Sequence, residues 1–168
     1  RGDAPANPLV LGIPRGGVVL GATLAQALRG ELDVVIARKL GSPGNPELAI
    51  GAMTEGGEAF VNRTLIESLG VSDRYLREEE ARQAREIEKR LVRYRSVKAA
   101  VSRKGRDLIV VDDGVATGAT MKATLHGLRT LKPASIWCAL PVGPEDSLRE
   151  LAESADEVVS LAAPQFFQ

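Results

Sequence analysis

Residues 109–120 read IVVDDGVATGAT, and the fold can be built outward from them. Leu108 to Val111 is an apolar run rich in β-branched residues, of the length and composition of a buried parallel strand. Asp112 and Asp113 close that strand. Gly114, Thr117, Gly118 and Thr120 then make a small, hydroxyl-bearing turn, and Ala119 to Leu131 carries apolar residues at helical spacing. The twelve residues therefore predict a strand, a loop and a helix N-terminus.

A helix N-terminus offers unpaired backbone N–H groups and the positive end of the helix dipole, which suits a phosphate. Glycine allows close approach of the backbone, and threonine hydroxyls can donate further bonds. The two aspartates cannot serve the same phosphate. At the carboxyl end of a strand, beside such a cradle, they suit sugar hydroxyls or a hydrated Mg2+. The expected ligand is a sugar phosphate. A P-loop would need Lys where Ala119 stands, and the spacing from Gly114 to Gly118 does not make a dinucleotide fingerprint.

At 168 residues the chain suits one domain. Lys plus Arg and Asp plus Glu number 22 each, so no global positive field recruits nucleic acid. The single cysteine, Cys138, excludes an internal disulfide framework and a multi-cysteine metal cluster. Its neighbours Ile136, Trp137, Ala139 and Leu140 place it in a buried strand. No apolar run is long enough to span a membrane and no signal peptide opens the chain, so a cytoplasmic protein is expected. The start at Arg1 and the abrupt QFFQ ending at 165–168 fit a fragment of a longer chain.

Pro8 to Ile13 forms a first strand, followed by the turn Pro14-Arg15-Gly16-Gly17 and a buried helix from Val18 to Leu28. This second strand–helix turn repeats the anion-binding logic of the first, now with an arginine. Leu32 to Ala37 predicts a strand with Arg38 and Lys39 at its end, two cations facing the same crevice, Lys39 being also readable as a solvated surface charge. Residues 41–47 read as a loop, and Leu48–Thr54 with Glu58–Val61 as a hairpin. Ser72 caps a helix from Asp73 to about Arg95, with a narrow stripe of Ala84, Ile87, Leu91 and Tyr94 and the pairs Glu78/Arg82 and Glu86/Arg90. It reads as a solvated helix across the domain, or a hood over the site. On the helix after the signature, Met121, Leu125 and Leu128 point inward, which leaves His126 on the surface. Ala134–Leu140 and Glu157–Leu161 predict further strands, with a helix between them at Glu145–Glu153. The alternation predicts a single doubly wound α/β domain over 1–168, a central parallel sheet with a hairpin-and-helix insertion at about 41–104. Its first strand lies beside the signature strand.

The signature resembles that of the type I phosphoribosyltransferases, which bind phosphoribosyl diphosphate (PRPP). The PRGG turn, residues 38–47 (RKLGSPGNPE) and DDGVATGAT together resemble a subfamily of predicted phosphoribosyltransferases over most of the chain. The resemblance implies that Asp112 and Asp113 hold the ribose 2′- and 3′-hydroxyls and that Ala116, Thr117, Gly118, Ala119 and Thr120 wrap the 5′-phosphate. Arg15, Gly16 and Gly17 would hold the pyrophosphate, often through a non-proline cis peptide, with Arg38 and Lys39 beside them. It implies transfer of the phosphoribosyl group to a nitrogenous acceptor, with Mg2+ bound mainly through the substrate and Asp112 and Asp113 as its nearest protein donors. Several purine-using members carry aspartate where this chain has Ala116, and adenine-type members carry alanine, so no catalytic base is assigned and the acceptor stays open. The final strand's loop and the aromatic pair Phe166 and Phe167 are expected near the acceptor or in the core. A PRPP-sensing module without transfer is the alternative. The resemblance also allows a homodimer and a fused hydrolase-like domain, and it implies no nucleic-acid or membrane partner.

Overall fold

In the computed structural model, residues 3–115 and 117–163 are described. Five parallel strands form the main sheet: β1 (Leu9–Gly12), β2 (Glu31–Val34), β6 (Asp107–Val111), β7 (Ser135–Val142) and β8 (Glu157–Ala162), in the order β2-β1-β6-β7-β8. The chain leaves β1 toward one edge and returns at β6 to build toward the other, so the switch point lies between β1 and β6. Their register pairs Gly12 with Val111, which brings the two following loops side by side.

Side-chain alternation along the central strands builds a core on each face of the sheet. Leu9 and Leu11 of β1, with Leu108 and Val110 of β6, pack on Met121, Leu125 and Leu128 of α4 (Ala119–Thr130). Val10, Ile109 and Val111 point the other way, toward Ala25 and Leu24 of α1 (Gly16–Leu28). All seven strand residues named are 3% exposed or less, and burying each such side chain is worth about 1.5–3 kcal/mol before entropy is counted. Cys138 is buried within β7, as its neighbours predict, and that burial pushes its thiol pKa up to about 12. It is not a reactive group.

A second, antiparallel sheet contains β3 (Ala37–Ser42), β4 (Asn45–Thr54) and β5 (Ala59–Val61), packed over α4. After α2 (Arg63–Ser68), α3 (Asp73–Arg95) runs across β3 and β4. Asn62 caps α2 by accepting from the Leu65 N–H, and Ser72 caps α3 by accepting from the Tyr75 N–H. α5 (Glu145–Leu151) precedes β8.

Several sequence expectations need correction. The second parallel strand stops at Val34. Arg38 and Lys39 lie in β3 of the small sheet, because Ile36 and Leu40 turn into a separate core with Ile50, Met53 and Ile87. The expected loop at 41–47 is mostly ladder: Gly41 pairs with Ala49 and Ser42 with Asn45, so the chain reverses within two residues, at Gly44 with φ 73°. The inserted layer therefore begins at Ala37 rather than near 41. α1 is not buried all round; Gly17, Gly21 and Ala25 face the sheet while Val19 is 71% exposed. On α3, Ala84 is exposed and the inward stripe holds Glu79 and Gln83 with Ile87. The ion pairs that form there are Arg74–Glu78, Arg82–Glu79 and Lys89–Glu86, not the two expected, since Glu79 faces inward and draws Arg82 back over itself.

Candidate active site

The loops after β1 and β6 meet at the switch point. α1 starts directly after Arg15, and its first residues press against the end of β6. A Cβ on Gly16 would fall within 2.8 Å of the Asp113 Cβ, and one on Gly17 within 2.3 Å of the Val111 carbonyl oxygen, beside the Asp112 Cα. Real Cβ atoms do not approach so closely, so these positions admit only glycine as the backbones stand. The Pro14–Arg15 peptide is cis. Arg15 itself is exposed at the start of α1.

On the other side, Gly118 adopts φ 73° and precedes α4, whose first turn contains Ala119 and Thr120. Its N-cap, Gly118, brings no side chain to the leading N–H groups, and Thr117 Oγ1 accepts from the Ala119 N–H only at 3.5 Å, a long contact that an anion can replace. Asp113 donates its backbone N–H to the Asp112 carboxylate at 2.8 Å. Burial pushes Asp112 up to about 6, and the adjacent Asp113 carboxylate pushes the same way. Two adjacent carboxyl groups can accept from hydroxyl donors or face a cation.

One cavity of about 410 Å3 is lined by Lys39, Asp112, Asp113 and residues 114, 115 and 117–120; a second, of about 430 Å3, by Pro14, Arg38, Lys39, Glu79, Gln83, Arg90 and Asp112. Lys39, Asp112 and Thr120 belong to both, so the two are ends of one crevice. Asp112, Asp113, Thr117, Gly118, Ala119 and Thr120 thus line one end; Arg38 lines the other, and Lys39 stands where they join. Gly16 and Gly17 pack against the strand end that carries the aspartates, and neither they nor Arg15 are among the lining residues of the two cavities. Ala116, Phe166 and Phe167 lie outside the described residues. His126 is exposed, its ring 6.4 Å from that of Phe60 and away from the crevice. Among the described residues no three His, Cys, Asp or Glu side chains converge on one point. The oxygen donors of Asp112 and Asp113 fit a hard cation such as Mg2+ that takes most of its ligands from a phosphate-bearing substrate.

Sequence reasoning passed over Glu79 and Gln83, which border the crevice from α3, and Tyr75, which is bonded to Gly41 one turn earlier on that helix. Glu79 and Gln83 are buried to within 5% exposure, and Gln83 Oε1 accepts from Arg38 Nε at 3.0 Å. The available signal was their spacing: residues 76, 79, 83 and 87 share one helical face, and two polar residues on an otherwise apolar stripe need partners. No helix among the described residues is long and apolar enough to cross a membrane.

A family model described as a phosphoribosyl transferase domain matches residues 3–167. A Mycobacterium tuberculosis protein, named provisionally as a phosphoribosyl transferase, is 39% identical over 159 residues, covering 95% of this chain and 36% of that protein. The chain therefore spans about a third of the length of the curated relatives it matches. The crystal structure of TT1426 from Thermus thermophilus is 47% identical with a TM-score of 0.80, over 96% of this chain and 76% of that one. The APRTase of Giardia lamblia, solved with 9-deazaadenine, shares the fold at 13% identity and a TM-score of 0.55, over 98% and 73% of the two chains.

Proposed function

Because the chain belongs to the phosphoribosyl transferase family, we propose that it moves the 5-phosphoribosyl group from PRPP to a nitrogenous acceptor and releases pyrophosphate. The observation that supports this reading is the contact of Gly16 and Gly17 with the Asp112–Asp113 strand end, which brings two strand–helix turns together beside a carboxylate pair.

In this reading the N–H groups at the start of α4, with the Thr117 and Thr120 hydroxyls, take the 5′-phosphate. Asp112 and Asp113 accept from the ribose 2′- and 3′-hydroxyls and fix the ring, so that C1 faces the other end of the crevice. The backbone N–H groups of Gly16 and Gly17, with Arg15, Arg38 and Lys39, hold the diphosphate and stabilise its negative charge as the C1–O bond breaks. The nitrogen nucleophile forms the new C1–N bond as pyrophosphate leaves, through an oxocarbenium-like state. The rate gain comes from positioning and from charge stabilisation in a crevice shielded by α3. When bound, Mg2+ supplies charge neutralisation at the diphosphate and ribose oxygens.

No acceptor is assigned. The methyl side chain at position 116 favours a second reading, a PRPP-binding regulatory module without transfer. The reading further takes residues 1–168 as one phosphoribosyltransferase domain working in the cytoplasm on small molecules. A homodimer and a fused hydrolase-like domain concern the whole protein and are not needed for this step. Calorimetric titration with PRPP and Mg2+ is the test: binding supports the reading, and no heat at millimolar PRPP removes both versions of it.

A further inference from the structure

We propose that Gln83, held by Glu79, is a positioning residue that aims the Arg38 guanidinium into the crevice, an inference that rests on the PRPP reading above. Neither side chain resembles a substrate ligand in sequence. Both are buried on the inner face of α3, 4% and 5% exposed, and both border the cavity that contains Arg38.

Glu79 is the anchor. Its Oε1 accepts from the Gly41 N–H at 3.1 Å and from Gln83 Nε2 at 3.0 Å, and its Oε2 accepts from Arg82 Nε at 2.8 Å. Burial raises its pKa, but these three donors more than offset that and hold it below the ordinary value, so the carboxylate stays ionised. An ionised carboxylate can only accept, so the Gln83 amide must present its NH2 to Glu79 and its carbonyl to Arg38. That carbonyl accepts from Arg38 Nε at 3.0 Å. With Nε engaged, the two terminal nitrogens of the guanidinium remain as a fork, the geometry that suits bidentate contact with a phosphate.

The same helix also fixes the strand that carries Arg38. The β3–β4 register shifts between Leu40 and Ser42, and such a bulge takes backbone groups out of the ladder. α3 takes both at Gly41: Glu79 accepts from its N–H, and Tyr75 donates its hydroxyl to the Gly41 carbonyl at 2.9 Å. A Cβ on Gly41 would meet the Pro46 Cα at 2.8 Å, so the bulge needs glycine. α3 is thus tied to β3 at the bulge and again at Arg38, three residues away.

The test is a double-mutant cycle read by calorimetry, with inorganic pyrophosphate plus Mg2+ as one probe and ribose 5-phosphate as the other. Gln83→Met should weaken pyrophosphate about tenfold, the scale of a hydrogen bond to a charged group, and ribose 5-phosphate less than twofold. In an Arg38→Ala background it should weaken pyrophosphate no further. Gln83→Asn, which keeps the amide but withdraws it by one methylene, should behave like Gln83→Met and guards against a folding defect in the latter. Losses that persist in the Arg38→Ala background, or that fall equally on both probes, would overturn the positioning role and leave the PRPP reading standing. A wild-type protein that binds neither probe would overturn the PRPP reading, and this role with it.

Discussion

Gly16 and Asp113 touch across the switch point so closely that no side chain at 16 can coexist with the Asp113 carboxylate where it stands. The two residues are 97 positions apart, and their contact joins the turn after β1 to the end of β6. Gly16→Ala should therefore displace Asp113 or the turn rather than disturb the core. We expect PRPP affinity to fall by about a hundredfold or more, with thermal stability lowered by about 1–3 kcal/mol. Calorimetry and thermal denaturation on the same sample check both; intact PRPP affinity would show that the contact does not shape the site.

The carboxylate pair is the next point of attack. Asp112→Asn with Asp113→Asn keeps shape while removing charge and half of the accepting capacity. Binding of PRPP should be abolished, and folding should survive, since Asp112 already resists ionisation. Unchanged affinity in calorimetry would remove the ribose assignment.

Arg15 distinguishes the two proposed phosphate subsites. It is exposed at the start of α1, at the turn proposed for the diphosphate, and is not among the residues lining the cavity at 117–120 proposed for the 5′-phosphate. Arg15→Ala should weaken PRPP far more than ribose 5-phosphate. Parallel losses for the two ligands in competition binding would sink the diphosphate role.

Away from the crevice, Asp33 ties β2 to the far end of α3. Its carboxylate accepts from Arg95 at 2.6 Å, from the Val34 N–H at 2.8 Å and from the Val101 N–H at 3.1 Å. Burial pushes its pKa up, but Arg95 and the two N–H groups outweigh burial and hold it below the ordinary carboxylate value. A carboxylate lowered in the folded state stabilises above the unfolded pKa and loses that contribution as pH falls through the folded one. Asp33→Asn should cost about 2 kcal/mol at pH 7, because Arg95 is left without its charge partner. The difference from wild type should shrink below about pH 4. A pH-independent difference in urea unfolding would contradict this.

The elements that frame the crevice were legible because local and global demands coincide there. The run at 108–111, the glycines after it and the apolar positions of α4 all require strand, turn and helix, and the adjacency of β1 and β6 follows from parallel crossovers. What was not legible was set by long-range packing. Nothing local stops β2 at Val34; Ile36 and Leu40 leave the main sheet because a second core, closed by α3, receives them. Breaker-rich 41–47 could become ladder because the Gly41 bulge is satisfied by residues more than thirty positions away. Glu79 and Gln83 share a helical face with Leu76 and Ile87, but on so charged a helix that spacing does not name their partners, which are set by the tertiary contact with β3.

The most direct measurement is pyrophosphate release from PRPP and Mg2+ across a panel of purine, pyrimidine and small amine acceptors, with PRPP binding followed in parallel. The account predicts saturable PRPP binding and release of one pyrophosphate per acceptor consumed, for one acceptor class. Neither PRPP binding nor release with any acceptor would contradict it.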